Sequence, residues 1–218
     1  MAFLRRYWYD IGALAAIVVT IVLALLWGVT STAQKLLLAN FIAILLHQFE
    51  EYGWPGGEPA IMNRALQPSD RPDRYPLNQN SAMVVNVLAA YGFYLIPVFA
   101  PGVFWLGVAP ALFGLGQFGI HGIVTPKKLG QFYNPGIAAV ILLHIPIGLA
   151  YFWTIRHEAT AIDWIAGVVY TFAFMSVALL KMTYSWLADR DSPYPFPPEE
   201  MTRFDVPGKL ARLREQRR

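Results

Sequence analysis

"LLLANFIAILLHQFEEYGWPGG", residues 36–57, decides how this chain is read. An apolar run broken only by Asn40 leads into His47, Glu50 and Glu51, and the segment ends in a cluster of glycine and proline. Continued as an α-helix advancing about 100° per residue, these three fall at about 0°, 300° and 40°. They share one face within one turn. Asn40, one heptad before His47, extends the same polar stripe inward. Two carboxylates at the end of a helix oppose its macrodipole, which favours cations there. A cation, a proton or a hydrogen-bond donor must compensate them.

The rest of the composition sets that stretch in a membrane. Of 218 residues, 56% are hydrophobic and only 14% charged, and the mean hydropathy is +0.42. This excludes disorder and predicts an all-α polytopic membrane bundle. Cysteine is absent, so disulfides, thiolate catalysis and cysteine-ligated zinc or iron–sulfur sites are excluded. Apolar runs of roughly bilayer length predict six spans, at about 10–29, 33–50, 82–100, 102–124, 136–155 and 162–187. The first run is too long for a cleaved signal-peptide core, and the "STAQ" after it is a weak cleavage site, so it reads as a retained helix. Turn signals separate the runs, and residues 50–81 read as a long polar loop. No internal repeat of the transporter kind is visible.

Fourteen of the 17 Lys and Arg residues fall on the side that holds both termini, which predicts that both termini are cytoplasmic. The chain then divides into a six-helix domain, 1–187, and a proline-rich, basic cytoplasmic tail, 188–218. In the tail, "DSPYPFPPEE" reads as an extended polyproline segment that docks a partner or lies across the cytoplasmic face. The final "KLARLREQRR" reads either as a segment on anionic lipid headgroups or as a solvated tail. Tyr and Trp in "RRYWYD" and "YGWPGG" read as an aromatic belt.

This topology sorts the polar residues by depth. His47, Glu50 and Glu51 lie at the cytoplasmic boundary of the second span, and Asn86 lies at the start of the third. His121 comes at the end of the fourth, with Gln117 one turn deeper on the same face. Tyr133 and Asn134 occupy the following loop. His144 lies two turns into the fifth span, and Lys181 lies near the cytoplasmic end of the sixth. Only His157 falls on the far side. Three of the four histidines and both glutamates can therefore meet in one layer. Asn86 and Asn40 also suit interhelical hydrogen bonding, and Lys181 also suits snorkelling to the headgroups. Ionisable groups at membrane depth nonetheless point to function.

His47-Gln-Phe-Glu50-Glu51, followed by "YGWPGG", resembles the signature of the HXXEE-motif family of bacterial membrane proteins. "GIHGIVTPKKLGQFYNPG" resembles that family's second block, a histidine before a Tyr-x-Pro-Gly turn, here His121 and Tyr133-Asn134-Pro135-Gly136. The resemblance covers roughly 33–155. It implies a multi-span fold in a bacterial inner membrane and a metal or catalytic site, and it brings no reaction. A looser likeness to the CAAX-prenyl proteases lacks the arginine that follows their glutamate pair, since Tyr52, Gly53, Trp54 and Pro55 stand here.

Imidazoles and carboxylates suit zinc or iron. His47 with Glu50 at i, i+3, or with Glu51 at i, i+4, can share an ion that His121 and His144 complete. The expected ligands are therefore His47, Glu50, His121 and His144, with Glu51 as general base and Tyr133 and Lys181 as further catalytic candidates. Asn86, Asn134, Asn40 and Gln117 are expected to support them. These groups suit a metal-dependent hydrolase of a lipophilic or amphiphilic, lipid-like substrate. The alternatives are a non-haem iron oxidase or hydroxylase, and a non-catalytic accessory subunit with a membrane protein partner. A carrier or channel is disfavoured, because the far halves of the third and fourth spans are nearly devoid of ionisable groups. Nucleic-acid binding is not expected, because the basic residues follow the membrane rule.

Overall fold

The structure, a computed structural model, describes residues 1–216, and among these every regular element is helical. In chain order they are α1 (Ala2–Leu25), α2 (Thr32–Tyr52), α3 (58–66), α4 (Gln79–Phe99), α5 (Phe104–Leu129), α6 (Ile137–Ile155), α7 (Ala161–Trp186), α8 (Pro198–Thr202) and α9 (Val206–Gln216). Five of them, α1, α4, α5, α6 and α7, are long and apolar enough to cross a membrane. The chain is thus a helical membrane protein. α2 has the length but not the apolarity, because its last turns carry His47, Gln48, Glu50 and Glu51.

That polarity belongs at the centre of the bundle. α2 packs against α1, α4, α5 and α6. It buries Leu37, Phe41, Ile44 and Leu45 together with Asn40, His47, Gln48, Glu50 and Glu51. Ser31 caps its first turn by accepting from the Gln34 amide, and the Gln34 side chain donates to Val98 O at the end of α4. Capping boxes also start α4, through Asn78 and Ser81, and α7, through Thr160 and Asp163. The outer faces are apolar: Leu14, Ile17, Val18 and Ile21 of α1, and Ile162, Ile165, Val169 and Phe172 of α7, are exposed.

Residues 50–81 are more ordered than a polar loop. They contain α3, whose Ala60, Ile61 and Ala65 are buried against Trp8, Tyr9, Tyr52 and Leu77. Asn63 ties the segment together, donating to Pro72 O and Leu77 O and accepting from the Leu77 amide. Satisfying backbone groups in this way is what allows irregular chain to be buried. The expected aromatic belt is corrected here. Tyr9 stacks on Tyr52 and Trp8 meets both edge-on in the core, because α1 begins at Ala2 and carries Trp8 and Tyr9 into the bundle; Tyr7 and Trp54 remain exposed.

The tail lies across this same end. The Phe196 amide donates to Asp73 O, the Gln79 amide donates to Tyr194 O, and Phe196 and Met201 enter the core. Glu200 pairs with Arg6 and accepts from the Tyr9 hydroxyl. Burial raises the Glu200 carboxyl above the ordinary range, and Arg6 opposes that shift. Arg203 donates to Tyr52 O and Gly53 O, two carbonyls left open at the end of α2. Leu213 of α9 lies where a Cβ at Gly130 would fall, so the amphipathic face of α9 rests on the protein. Arg217 and Arg218 of the basic tail lie outside the described residues.

Candidate metal centre

His47 and Glu51 stand one turn apart on α2, and His121 reaches them from α5. The nearer carboxylate oxygen of Glu51 is 3.3 Å from Nε2 of His47 and 3.3 Å from Nε2 of His121. The two imidazole rings are perpendicular, with centroids 4.9 Å apart. One ligand atom from each of the three lies within 4.8 Å of the others, and all three residues are buried. His144 joins from α6, its ring 5.5 Å from that of His47. The helices are widened to π-winding over Gly119–Val124, which holds His121, and over Val140–His144. Such widened turns recur at functional sites.

The other ring nitrogens fix the tautomers. Nδ1 of His47 lies 3.1 Å from Gly136 O, a carbonyl that can only accept, so that nitrogen carries the proton. Nδ1 of His121 lies 2.9 Å from Oδ1 of Asn134. The Asn134 amide cannot be turned round, because its Nδ2 donates to His121 O and Phe132 O. His121 therefore also carries its proton on Nδ1. Nδ1 of His144 lies 3.2 Å from Oδ1 of Asn40, and its Nε2 is buried without a partner. In neutral rings the Nε2 lone pairs of His47 and His121 thus face a carboxylate, acceptor against acceptor. Only a cation or additional protons can hold that arrangement together. Histidines that bind metal are oriented in this way, through a hydrogen bond from the other ring nitrogen.

Two glycines make room for the rings. At Gly136, with φ of +99°, a Cβ would lie 2.6 Å from Cε1 of His121 and 2.9 Å from Cε1 of His47. At Gly114 it would lie 2.6 Å from Nδ1 of His144. No approach closer than about 3 Å is tolerable for carbon atoms.

The geometry separates the two glutamates. Glu50, expected as a ligand, turns away from the histidines and accepts from the amides of Ala139 (2.9 Å) and Ala138 (3.2 Å) and from the Tyr133 hydroxyl (3.3 Å). Its charge sits at the N-terminus of α6, where the dipole welcomes it. Glu51, expected as the base, occupies the place among the histidines. Tyr133 is exposed and reaches Glu50 rather than the histidines; desolvation, with the Glu50 carboxylate beside it, raises its hydroxyl above the ordinary range. Lys181 is exposed on the outer face of α7 with Nζ 5.1 Å from the Trp186 ring, so it is not brought to the site. Asn40 and Asn134 orient histidines. Asn86 donates to Ala82 O and its carbonyl accepts from Gln48, which places it and Gln117 in a cavity wall.

That cavity, about 290 Å³, opens beside the histidines between α4, α5 and α7. Its walls are mostly apolar, and His47, Glu51 and His121 line one end with Glu58. Glu58 escapes a reading of the sequence as a polar loop; the signal for it is "GGEP", a carboxylate opening α3 after Gly57 in the left-handed region. It is buried, and its Oε2 has no partner among the described residues. Burial, reinforced by the nearby Glu51, pushes its carboxyl well above the ordinary range, and His121 opposes the shift.

A family described as "Protein of unknown function with HXXEE motif" matches residues 38–151, more than half of the chain, and the chain belongs to that family. The matched segment contains His47, Glu50, Glu51, His121 and His144. Neither the curated proteins nor the solved structures gave a match.

Proposed function

From membership of a family without an assigned activity, we propose that this protein is a membrane-embedded, metal-dependent hydrolase of an amphiphilic substrate. The observation that supports the reading is the pair of Nε2 atoms facing one Glu51 oxygen at 3.3 Å, with both Nδ1 atoms already engaged by acceptors. In this reading His47, Glu51 and His121 hold a zinc or iron ion. His144, with its unpartnered Nε2, is near enough to complete the set or to accept a hydrogen bond beside it. Two histidines and a carboxylate leave positions open for water, and such an ion supplies Lewis acidity and a water acidic enough to ionise near neutral pH. Asn134, Gly136 O and Asn40 hold the rings. Glu50 fixes α6 against α2.

In the same reading α2 is the sixth span, both termini face the cytoplasm of a bacterial inner membrane, and the centre lies in the cytoplasmic leaflet. The basic α9 then faces anionic headgroups while its leucines rest on the protein. A cytoplasmic C-terminal reporter, with His157 labelled from outside, supports this topology; the reverse contradicts it. The function is tested with metal-loaded protein in detergent and a long-chain ester. Hydrolysis that a chelator stops and zinc or iron restores supports the proposal. A second reading, an iron-dependent oxidase or hydroxylase, is favoured by the composition of the triad, since two histidines and a carboxylate suit iron and O₂. Oxygen uptake by the ferrous protein, without ester hydrolysis, selects it.

A further inference from the structure

The cavity has a mouth, and the mouth faces the lipid. α5 and α7 cross tightly at one level: a Cβ at Gly167 would lie 2.4 Å from Val108, and the Thr171 hydroxyl donates to Ala109 O. Beyond that crossing the cavity lies between the two helices and α4. Gly116 and Ile120 of α5, and Met175 and Leu180 of α7, line the cavity and are also exposed on the surface. All four belong to helices apolar enough to cross a membrane, so this opening looks into the bilayer rather than into water. Further in, Leu112, Phe113 and Leu179 give an apolar wall, and the polar end carries the histidines, Glu51 and Glu58.

We propose that a single-chain amphiphile with a neutral, hydrogen-bonding headgroup enters sideways between α5 and α7, lays its chain along the apolar wall and places its headgroup against Glu58. The unpartnered Oε2 of Glu58 is the polar atom that such a headgroup satisfies. Among the described residues two carboxyl groups and no lysine or arginine line this end, so without the metal it selects against anionic headgroups. A chain already in lipid gains little by moving to an apolar wall. Selectivity therefore rests on the headgroup. The inference rests on the proposed site but not on its metal.

The test is photolysis of the full-length protein in detergent with hexadecanol bearing a mid-chain diazirine, followed by peptide mapping, with metal content measured in parallel. Labelling is expected within 112–120 and 175–180. A Cβ at Gly116 meets no atom within 4 Å, so Gly116→Trp adds bulk at the mouth from an open position, and Leu180→Trp adds it from the other lip. Each should reduce labelling by about tenfold and leave the metal in place. Glu58→Ala should weaken hexadecanol labelling by about tenfold, Glu58→Gln should restore most of it, and the hexadecanoate analogue should label the metal-free protein poorly. Labelling that both tryptophans leave undiminished overturns the inference, as does labelling spread over the outer faces of α1 and α7. Protein that holds metal but takes no label overturns it alone. Label in the cavity of a protein that holds no metal supports it and contradicts the metal centre.

Discussion

α1 and α2 lie side by side, yet they answer opposite demands. α1 is the more apolar and leaves Leu14, Ile17, Val18 and Ile21 exposed; α2 is interrupted by polar groups and is buried on nearly every side. In a bilayer, apolar side chains gain nothing by turning inward, because lipid is as apolar as they are. Polar side chains gain hydrogen bonds only from other protein. The polar helix is therefore the central one, and its polar groups meet partners from α5 and α6. The same sorting acts on adjacent residues: Glu50 finds the open amides of α6, and Glu51 finds the histidines.

The contrast breaks most visibly at Gly136. Gly136→Ala puts a methyl group into both imidazoles at a backbone angle that disfavours any side chain. It should cost about 1–3 kcal/mol for the backbone alone and reduce metal affinity by about 10–100-fold, read from thermal unfolding in detergent and from metal titration. Glu50→Ala comes next. Leaving the buried Ala139 amide and the part-buried Ala138 amide without an acceptor should cost about 2 kcal/mol, again in thermal unfolding, while metal binding changes little.

Glu58 sharpens the comparison through pH. Its carboxyl is raised in the folded protein, so the folded state holds a proton that the unfolded chain releases. That contribution is fully present below the ordinary glutamate value and is lost as pH rises towards the raised one. Stability of the metal-free protein should therefore fall with rising pH across this window, and Glu58→Gln should remove that component of the slope. The smallest effect is expected on the lipid face of α1. Val18→Ala, at an exposed position, should change stability by less than about 0.5 kcal/mol.

Much of this was legible in the sequence. Helix lengths and polar depth follow from apolar runs, and the convergence of His47, His121 and His144 follows from placing those residues at one level of the bundle. Which glutamate joins the histidines was not legible, because residues at 40° and 300° on the wheel flank His47 almost equally. Their choice is made by the N-terminus of α6, a long-range neighbour. Glu58 was hidden because α3 is held by contacts with Trp8, Tyr52 and the tail rather than by its own periodicity. Lys181 was misleading for the reverse reason. Its neighbours Leu180, Thr183 and Tyr184 line the cavity, but the rotation of α7 turns it outward.

The central claim is that Glu51, not Glu50, completes a centre with His47 and His121. Elemental analysis of purified wild-type, Glu51→Gln and Glu50→Gln proteins, each loaded with zinc or iron and desalted, tests it directly. One tightly held ion per chain is expected in the wild type and in Glu50→Gln, and loss of most of it in Glu51→Gln, with all three proteins monodisperse. Metal that survives Glu51→Gln and disappears in Glu50→Gln, or a wild type that holds no ion under either loading, would contradict it.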